Sequence, residues 1–196
     1  GVLTDYGFEN AVNAQQMFGG HGYIAEWGME QFVRDARINM IYEGTNTIQS
    51  LDLLGRKVLA DNGKKLKAFG KRIAEFIEEE GVHEQMQEFV NPLADLGDKV
   101  TKLTTELGMK AFANPDEVGA AAVDYLRVVG HLCFAYLFAR MAKIALAKQG
   151  SGDPFYTAKL ATARFYFAKL LPETAALIRS ARAGVAPLMA MDEALF

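Results

Sequence analysis

The 196-residue sequence predicts an all-α fold. Apolar residues recur at threes and fours along almost every segment, and no stretch of four or more residues alternates as a strand would. Glycine, proline or Asn-Pro marks each gap between the apolar stripes. With 51% hydrophobic residues, the chain has ample material for a buried core, either in one domain or in two small ones.

The spacing places a first helix over Leu3 to Phe18, with Phe8, Val12 and Gln15 or Gln16 on one side, stopped by Gly19-Gly20. His21 to Gly28 reads as a loop. Met29 to Met40 resumes helical spacing through Met29, Phe32, Val33, Ala36 and Met40, and Tyr42-Glu43-Gly44-Thr45 breaks it. Asn46 and Gln49 form a capping-box-like start to a third helix, which carries Ile48, Leu51, Leu54 and Val58 to the turn at Asp61-Asn62-Gly63. This motif-rich part, residues 1–62, ends there.

Residues 63–196 are plainly periodic and predict a four-helix bundle-like extension. Lys64 to Glu80 sets Leu66, Phe69, Ile73, Phe76 and Ile77 against a charged face. A second helix from Glu84 carries the seam Met86, Phe89, Leu93, Leu96, Val100, Leu103 and Leu107, with Pro92 expected to kink or break it near Glu88 to Asn91. Asn114-Pro115-Asp116 is a turn. Glu117 to Gln149, apolar on most sides, should be the central helix, with Leu126, Val129, Leu132, Phe134, Leu137 and Phe138 facing several neighbours. Phe155 to Ala183 forms the last helix, bent or restarted at Pro172, and the tail from Pro187 is expected to be loose.

Several functional classes find no support. The 21 basic and 24 acidic residues, net charge -3, are scattered, so the footprint of a nucleic-acid binder is missing. A single cysteine, Cys133, forms no internal disulfide and reads as a core thiol. The N-terminal residues lack a basic start and an apolar run, which makes the cytoplasm the default location. The apolar run Val128 to Ala139 falls short of the ~20 residues a membrane-spanning helix requires. The chain opens with glycine in a helical segment and is expected to be a piece of a longer protein.

Gly20-His21-Gly22-Tyr23-Ile24-Ala25 satisfies a dinucleotide pattern in form, yet a helix rather than a strand precedes it, so it reads as a glycine-rich helix stop whose bare N–H groups can meet phosphates. Glu80-x-x-His83 is half of a di-iron motif, but His21 and His131 supply no second half, so the run Glu78 to Glu88 is expected to be a solvated helix end and no metal site is implied. His131 is expected to be a core histidine bonded to a helix carbonyl. No Gly-x-Ser-x-Gly occurs to support a serine nucleophile. Arg34-Asp35 and Arg37 read as structural ion pairs. Glu43 is expected at a helix-to-loop junction beside apolar residues, where desolvation would raise its pKa and suit it to act as a base, while the helix beginning at Asn46 would lower it. On residue type alone, a capping or ion-paired surface glutamate is the favoured reading.

Three blocks, Gln16-Met17-Phe18-Gly19-Gly20-His21-Gly22-Tyr23, Arg34-Asp35-Ala36-Arg37-Ile38 and Ile41-Tyr42-Glu43-Gly44-Thr45-Asn46 with Ile48-Gln49, resemble in order and spacing the C-terminal signature of acyl-CoA dehydrogenases. Residues 64 to 184, with Asp153-Pro154-Phe155-Tyr156, Lys159 to Phe165 and Leu171-Pro172, resemble the extra helical domain of one branch, the one that includes 3-methylmercaptopropionyl-CoA dehydrogenase-like enzymes. The resemblance implies the helical end of a catalytic core followed by the extension. It implies Glu43 as the base that removes an α-proton from an acyl-CoA while the β-hydrogen leaves as hydride to FAD, with Tyr42 and Gly44 on the substrate side and the Glu43 N–H among the donors to the thioester oxygen. It further implies Gln16, Gly19 and Gly20 on the adenosine diphosphate part of FAD, commonly that of a neighbouring subunit, and Thr45 and Thr47 on the FAD of the chain's own site. Thr47 stands where the family often has glutamine, which shortens or loses a contact.

An electron-transferring flavoprotein or similar acceptor and a dimeric or tetrameric homo-oligomer follow from the same resemblance. The family's N-terminal helical and middle β-domains are not among these residues, so this piece alone is expected to lack FAD and turnover. The rival expectation is a non-catalytic helical assembly or docking module that kept the motif.

Overall fold

The structure, a computed structural model, describes residues 1–195, and these contain helices and turns and no strand. The first helix, α1, is Val2–Met17, followed by the short α2, Gly20–Tyr23, and a 3-10 turn, Ala25–Trp27. The segment expected as a loop is therefore wound into two short turns, because Gly19 at φ 60 and Gly28 at φ 71 reverse the chain on either side. Helix α3 spans Met29–Ile38 and packs on α1, yet none of its residues is fully buried and Phe32 is 65% exposed.

Helix α4, Asn46–Leu51, is capped one residue earlier than expected: Thr45 is the N-cap, its hydroxyl 3.5 Å from the Ile48 N–H, and Gln49 reaches back to the Gly44 carbonyl at 3.1 Å. Asn46 is thereby freed for contacts elsewhere. From Asp52 to Leu59 the helix widens to a π-helix that ends in the bonds Ala60 N–H to Gly55 O and Gly63 N–H to Val58 O. Gly55 faces Val118 here, and Leu59 faces Gly108.

Helices α5 (Lys64–Glu80), α6 (Gln87–Ala113) and α7 (Asp116–Lys148) follow, then α8 (Pro154–Phe165), which widens to a π-helix over Tyr166–Leu170, and α9 (Glu173–Ala183). Pro172 ends one helix and caps the next, as its fixed φ and missing N–H favour. Pro92 does not break α6, which continues to Ala113. The carbonyl it would clash with, that of Glu88, lies in the first turn of α6. The break falls upstream, at the 3-10 turn Glu84–Met86. After Gly184 the chain makes only turns and the 3-10 turn Glu193–Leu195.

Helix α7 is central, as its composition predicts, but the residues it buries are mostly small: Ala121, Ala122, Ala135, Ala139, Ala142 and Ala145, with Tyr125, Val128, His131 and Leu132. Leu137, expected in the core, is 54% exposed. Alanine lets α4, α6, α8 and α9 approach the α7 backbone closely, and the larger side chains come from those neighbours, among them Phe89, Leu93, Leu103 and Leu160. Leu54 and Val58, before Gly63, lie in the same buried cluster as residues as distant as Ala181.

Asp116–Ser151 is apolar enough and long enough to cross a membrane by composition, with an 18-residue window of mean hydropathy 1.4, but it packs against α4, α6, α8 and α9, which bury 44% of that window. Ion pairs set the register around it. Arg164 grips Glu88 and Arg182 grips Glu106 in two-pronged contacts at 2.6–3.0 Å. Glu80, expected to be solvated, is instead buried and pairs with Lys143 at 2.5 Å, drawing the end of α5 against α7.

Two substitutions test this packing. Leu103→Ala should destabilise the chain by about 2–5 kcal/mol through the cavity it leaves, and Ala139→Leu by about 1–3 kcal/mol through overpacking. Urea titration of each variant measures both.

Candidate functional site

The site residues divide into two places. Asn46, next to the Glu43 turn, bonds through its amide to the Gly1 carbonyl at 3.1 Å, Thr4 Oγ1 at 2.9 Å and Asp5 Oδ1 at 2.5 Å, all at the start of α1. Gln16, Gly19 and Gly20 lie at the other end of that helix, roughly 20 Å away at 1.5 Å per residue. The structure therefore brings Tyr42, Glu43, Gly44, Thr45 and Thr47 together and holds the glycine block apart from them.

The turn itself is built by backbone conformation. Glu43 has φ 54 and Gly44 φ 85, two successive left-handed residues after α3. Glycine adopts this region freely, whereas for glutamate it costs on the order of 1–3 kcal/mol. The loop is closed by the Asn46 N–H to Met40 O bond at 3.3 Å. Tyr42 Oη donates to Asn39 Oδ1 at 3.1 Å, and Glu43 is exposed rather than set among apolar side chains, with Ile41 and Tyr42 beside it also exposed.

Behind the turn a pocket of about 330 Å³ is lined by Asp5, Arg37, Thr45, Thr47 and, from α7, Val123, among others. A larger, mostly apolar cleft of about 1090 Å³ opens between α5 and α6, and no residue of the Glu43 turn lines it.

Arg34, Asp35 and Arg37 form no ion pair among the described residues. Gln31 Nε2 donates to Asp35 at 2.7 Å, while Arg37 lies 5.7 Å from the Phe8 ring and touches Met40 Sδ at 3.5 Å. At the glycine block, Gly19 has φ 60, and both Gly19 and Gly20 have open space where a Cβ would stand. A ligand's diphosphate can approach that backbone closely, and Gln16 is exposed beside it. These residues fit the phosphate side of a dinucleotide. No group of three or more possible metal ligands occurs among the described residues.

His131, expected in the core and found there, has partners that sequence reasoning missed. It is fully buried, and its side chain bonds to no helix carbonyl: Nε2 meets the Tyr6 hydroxyl at 2.9 Å and Nδ1 the Tyr166 hydroxyl at 3.1 Å. The Tyr166 hydroxyl donates to the His131 carbonyl at 3.0 Å, so Nδ1 donates to Tyr166 and Nε2 is left as the acceptor facing Tyr6. Glu173 Oε2 lies 3.2 Å from the Tyr6 hydroxyl and 3.6 Å from His131 Nε2, and Arg127 pairs with Glu173 at 2.7 Å while its guanidinium sits over the Tyr6 ring at 5.1 Å. Burial and the Glu173 carboxylate push the Tyr6 hydroxyl above its usual pKa and keep it a neutral donor. Burial, opposed by Glu173 and reinforced by Arg127, lowers the pKa of His131 below its ordinary 6.5. The available signal was a histidine in an apolar stripe, but its partners Tyr6 and Tyr166 are 125 and 35 residues away. Cys133 is only partly buried, and burial raises its thiol pKa.

The described residues thus join a turn with a strained carboxylate, a glycine block and a helical bundle packed behind them. Residues 2–59 match the family model described as acyl-CoA dehydrogenase, C-terminal domain, and residues 69–192 the one described as acetyl-CoA dehydrogenase C-terminal like. A broad-specificity linear acyl-CoA dehydrogenase of Mycobacterium tuberculosis is 29% identical over all of this chain and 34% of its own length. A 3-methylmercaptopropionyl-CoA dehydrogenase of Ruegeria pomeroyi is 37% identical over 90% of this chain and 30% of its own. A probable acyl-CoA dehydrogenase of Mycobacterium leprae is 50% identical, over 24% of this chain and 12% of its own. The chain belongs to the acyl-CoA dehydrogenase family, and it spans about a third of the length of the first two relatives.

Two measurements test the local physics. Replacing Glu43 by glycine relieves the left-handed strain and should stabilise the chain by about 1 kcal/mol in urea titration. His131, with its pKa lowered on folding, binds fewer protons folded than unfolded, so its contribution is complete above about pH 6.5 and is lost as pH falls from there toward the lower folded value. Melting temperature should therefore fall between pH 7 and pH 5, over a range above that in which typical carboxylates titrate, and His131→Gln should flatten that slope.

Proposed function

We propose that the chain is the C-terminal portion of an FAD-dependent acyl-CoA dehydrogenase and that Glu43 is its base. The observation that carries this is the Glu43 turn: a carboxylate held in a costly left-handed conformation, exposed, within a loop tied at both ends. Strain of this kind persists only where surrounding contacts over-determine it, and it clusters at sites where a group must be aimed.

In this reading the Glu43 carboxylate takes the α-proton of an acyl-CoA thioester, and the charge that develops on the thioester oxygen is met by donors that include the Glu43 backbone N–H. Tyr42 and Gly44 flank the substrate. FAD, when bound, supplies the acceptor for the β-hydride. Thr45 and Thr47 contribute to holding the cofactor of the chain's own site, and Gln16, Gly19 and Gly20 hold the diphosphate of a second one. The separation of these two groups at opposite ends of α1 supports that division. Phe18, Tyr23, Trp27 and Phe32 are exposed along the same part of the chain, which supports a face covered by the rest of the enzyme or by another subunit of a homo-oligomer.

The same reading divides the chain into a catalytic part, 1–62, and an extension, 63–196. It includes the cytoplasm as location and an electron-transferring flavoprotein or similar carrier as acceptor, and it expects this piece alone to be inactive.

In the full-length protein, Glu43→Gln should lower acyl-CoA-dependent dye reduction by roughly 10²–10⁴-fold while FAD absorbance is retained. Turnover unchanged in that variant would remove Glu43 from the chemistry. Absence of FAD and of turnover in the full-length protein would favour the assembly module instead.

A further inference from the structure

The Glu43 turn has no fully buried residue of its own between Asn39 and Thr45. Its hydrogen bonds to sequence-distant residues, among those described, all run through Asn46 to Gly1, Thr4 and Asp5. The position of the turn therefore depends on where the first turn of α1 is held at one side and on α4, which packs directly on α7, at the other. The first turn of α1 is seated by Val2, buried against Gly130 of α7, and by Tyr6 one turn further on. The Tyr6 hydroxyl lies 2.9 Å from His131 Nε2 and 3.2 Å from Glu173 Oε2, and it accepts from Arg127 Nη2 at 3.4 Å. These three groups come from α7 and α9, both in the extension.

We propose that Tyr6 is a positioning residue for the Glu43 turn: through Tyr6 and Asn46, the Arg127–His131–Glu173 cluster of the extension, anchored by its fully buried histidine, holds the base in its reactive place. This rests on the reading of Glu43 as the base, and it assigns the extension a role in catalysis beyond covering the core. The link is directional. His131 is locked by Tyr166 on its far side, and Glu173 by Arg127, so the cluster is the fixed end and the exposed turn is the end that moves when a link is cut.

Tyr6→Phe removes the hydroxyl and keeps the ring contacts with Arg127 and Phe134. In the holoenzyme its kcat should fall roughly ten- to a hundredfold, with KM for the acyl-CoA within about twofold of wild type and FAD content unchanged. In the 196-residue chain, the amides of Ile41, Tyr42 and Asn46 should exchange with deuterium faster, while those of α6 and α8 do not change. Asn46→Ala cuts the same path at a half-buried position outside the core and should reproduce both effects, which keeps the test decisive if Tyr6→Phe fails to fold.

Wild-type kcat, or wild-type exchange at Ile41 and Tyr42, in the folded variants would overturn the positioning role. Loss of kcat only in step with lost FAD would overturn it as well. Glu43→Gln inactive beside a fully active Tyr6→Phe would remove the positioning role and leave the base. Glu43→Gln fully active would remove the base reading, and with it the catalytic role assigned to Tyr6.

Discussion

The helical bundle depends on how closely other helices can approach α7. A helix that presents alanine along its buried positions adds little volume of its own, so the distance between its backbone and its neighbours' is set by their side chains. Phe89, Leu93 and Leu103 on α6, Leu160 on α8 and Leu54 before Gly63 all fill space that α7 leaves open. The ion pairs Arg164–Glu88 and Arg182–Glu106 then fix the sliding register of α8 and α9 on α6. Their individual energies are small at exposed positions, and their value is geometric.

The bundle was largely readable because its signals are local. A seam of threes and fours identifies the core face of α6 without knowledge of its partner, and Asn114-Pro115 and Asp153-Pro154 mark their turns by chemistry confined to a few residues. What stayed hidden depends on tertiary context. The prediction for α7 weighted large residues, whereas burial there follows the small ones, which a hydrophobicity pattern barely registers. Pro92 was read by its usual cost, but its place near the start of α6 softens that cost. Glu80 carries no sign in the sequence that Lys143 would meet it 63 positions later.

The candidate site was legible as a motif and not as an environment. The three blocks around Gly19, Arg37 and Glu43 named the residues, and the family models agree with the family they suggested. Neither the left-handed backbone of Glu43 nor the transfer of the cap to Thr45 could be read beforehand, since both are set by how α3 hands the chain to α4. His131 was placed in the core correctly and given the wrong partner, because pairing over 125 positions leaves no trace in periodicity.

Helix α3 touches the remainder from one side only and buries none of its residues completely. Regions that unfold locally at low cost are those with few buried contacts, so residues 29–45 can vary with little consequence for the bundle, whereas a change at Arg127, His131 or Glu173 reaches both. Substitutions that harden the alanine-lined core away from that cluster would raise the melting point with little effect on the turn, and substitutions in residues 29–45 would reshape the turn without endangering the fold. A lineage adapting to heat and one reshaping the turn would then leave their marks on different stretches of this sequence.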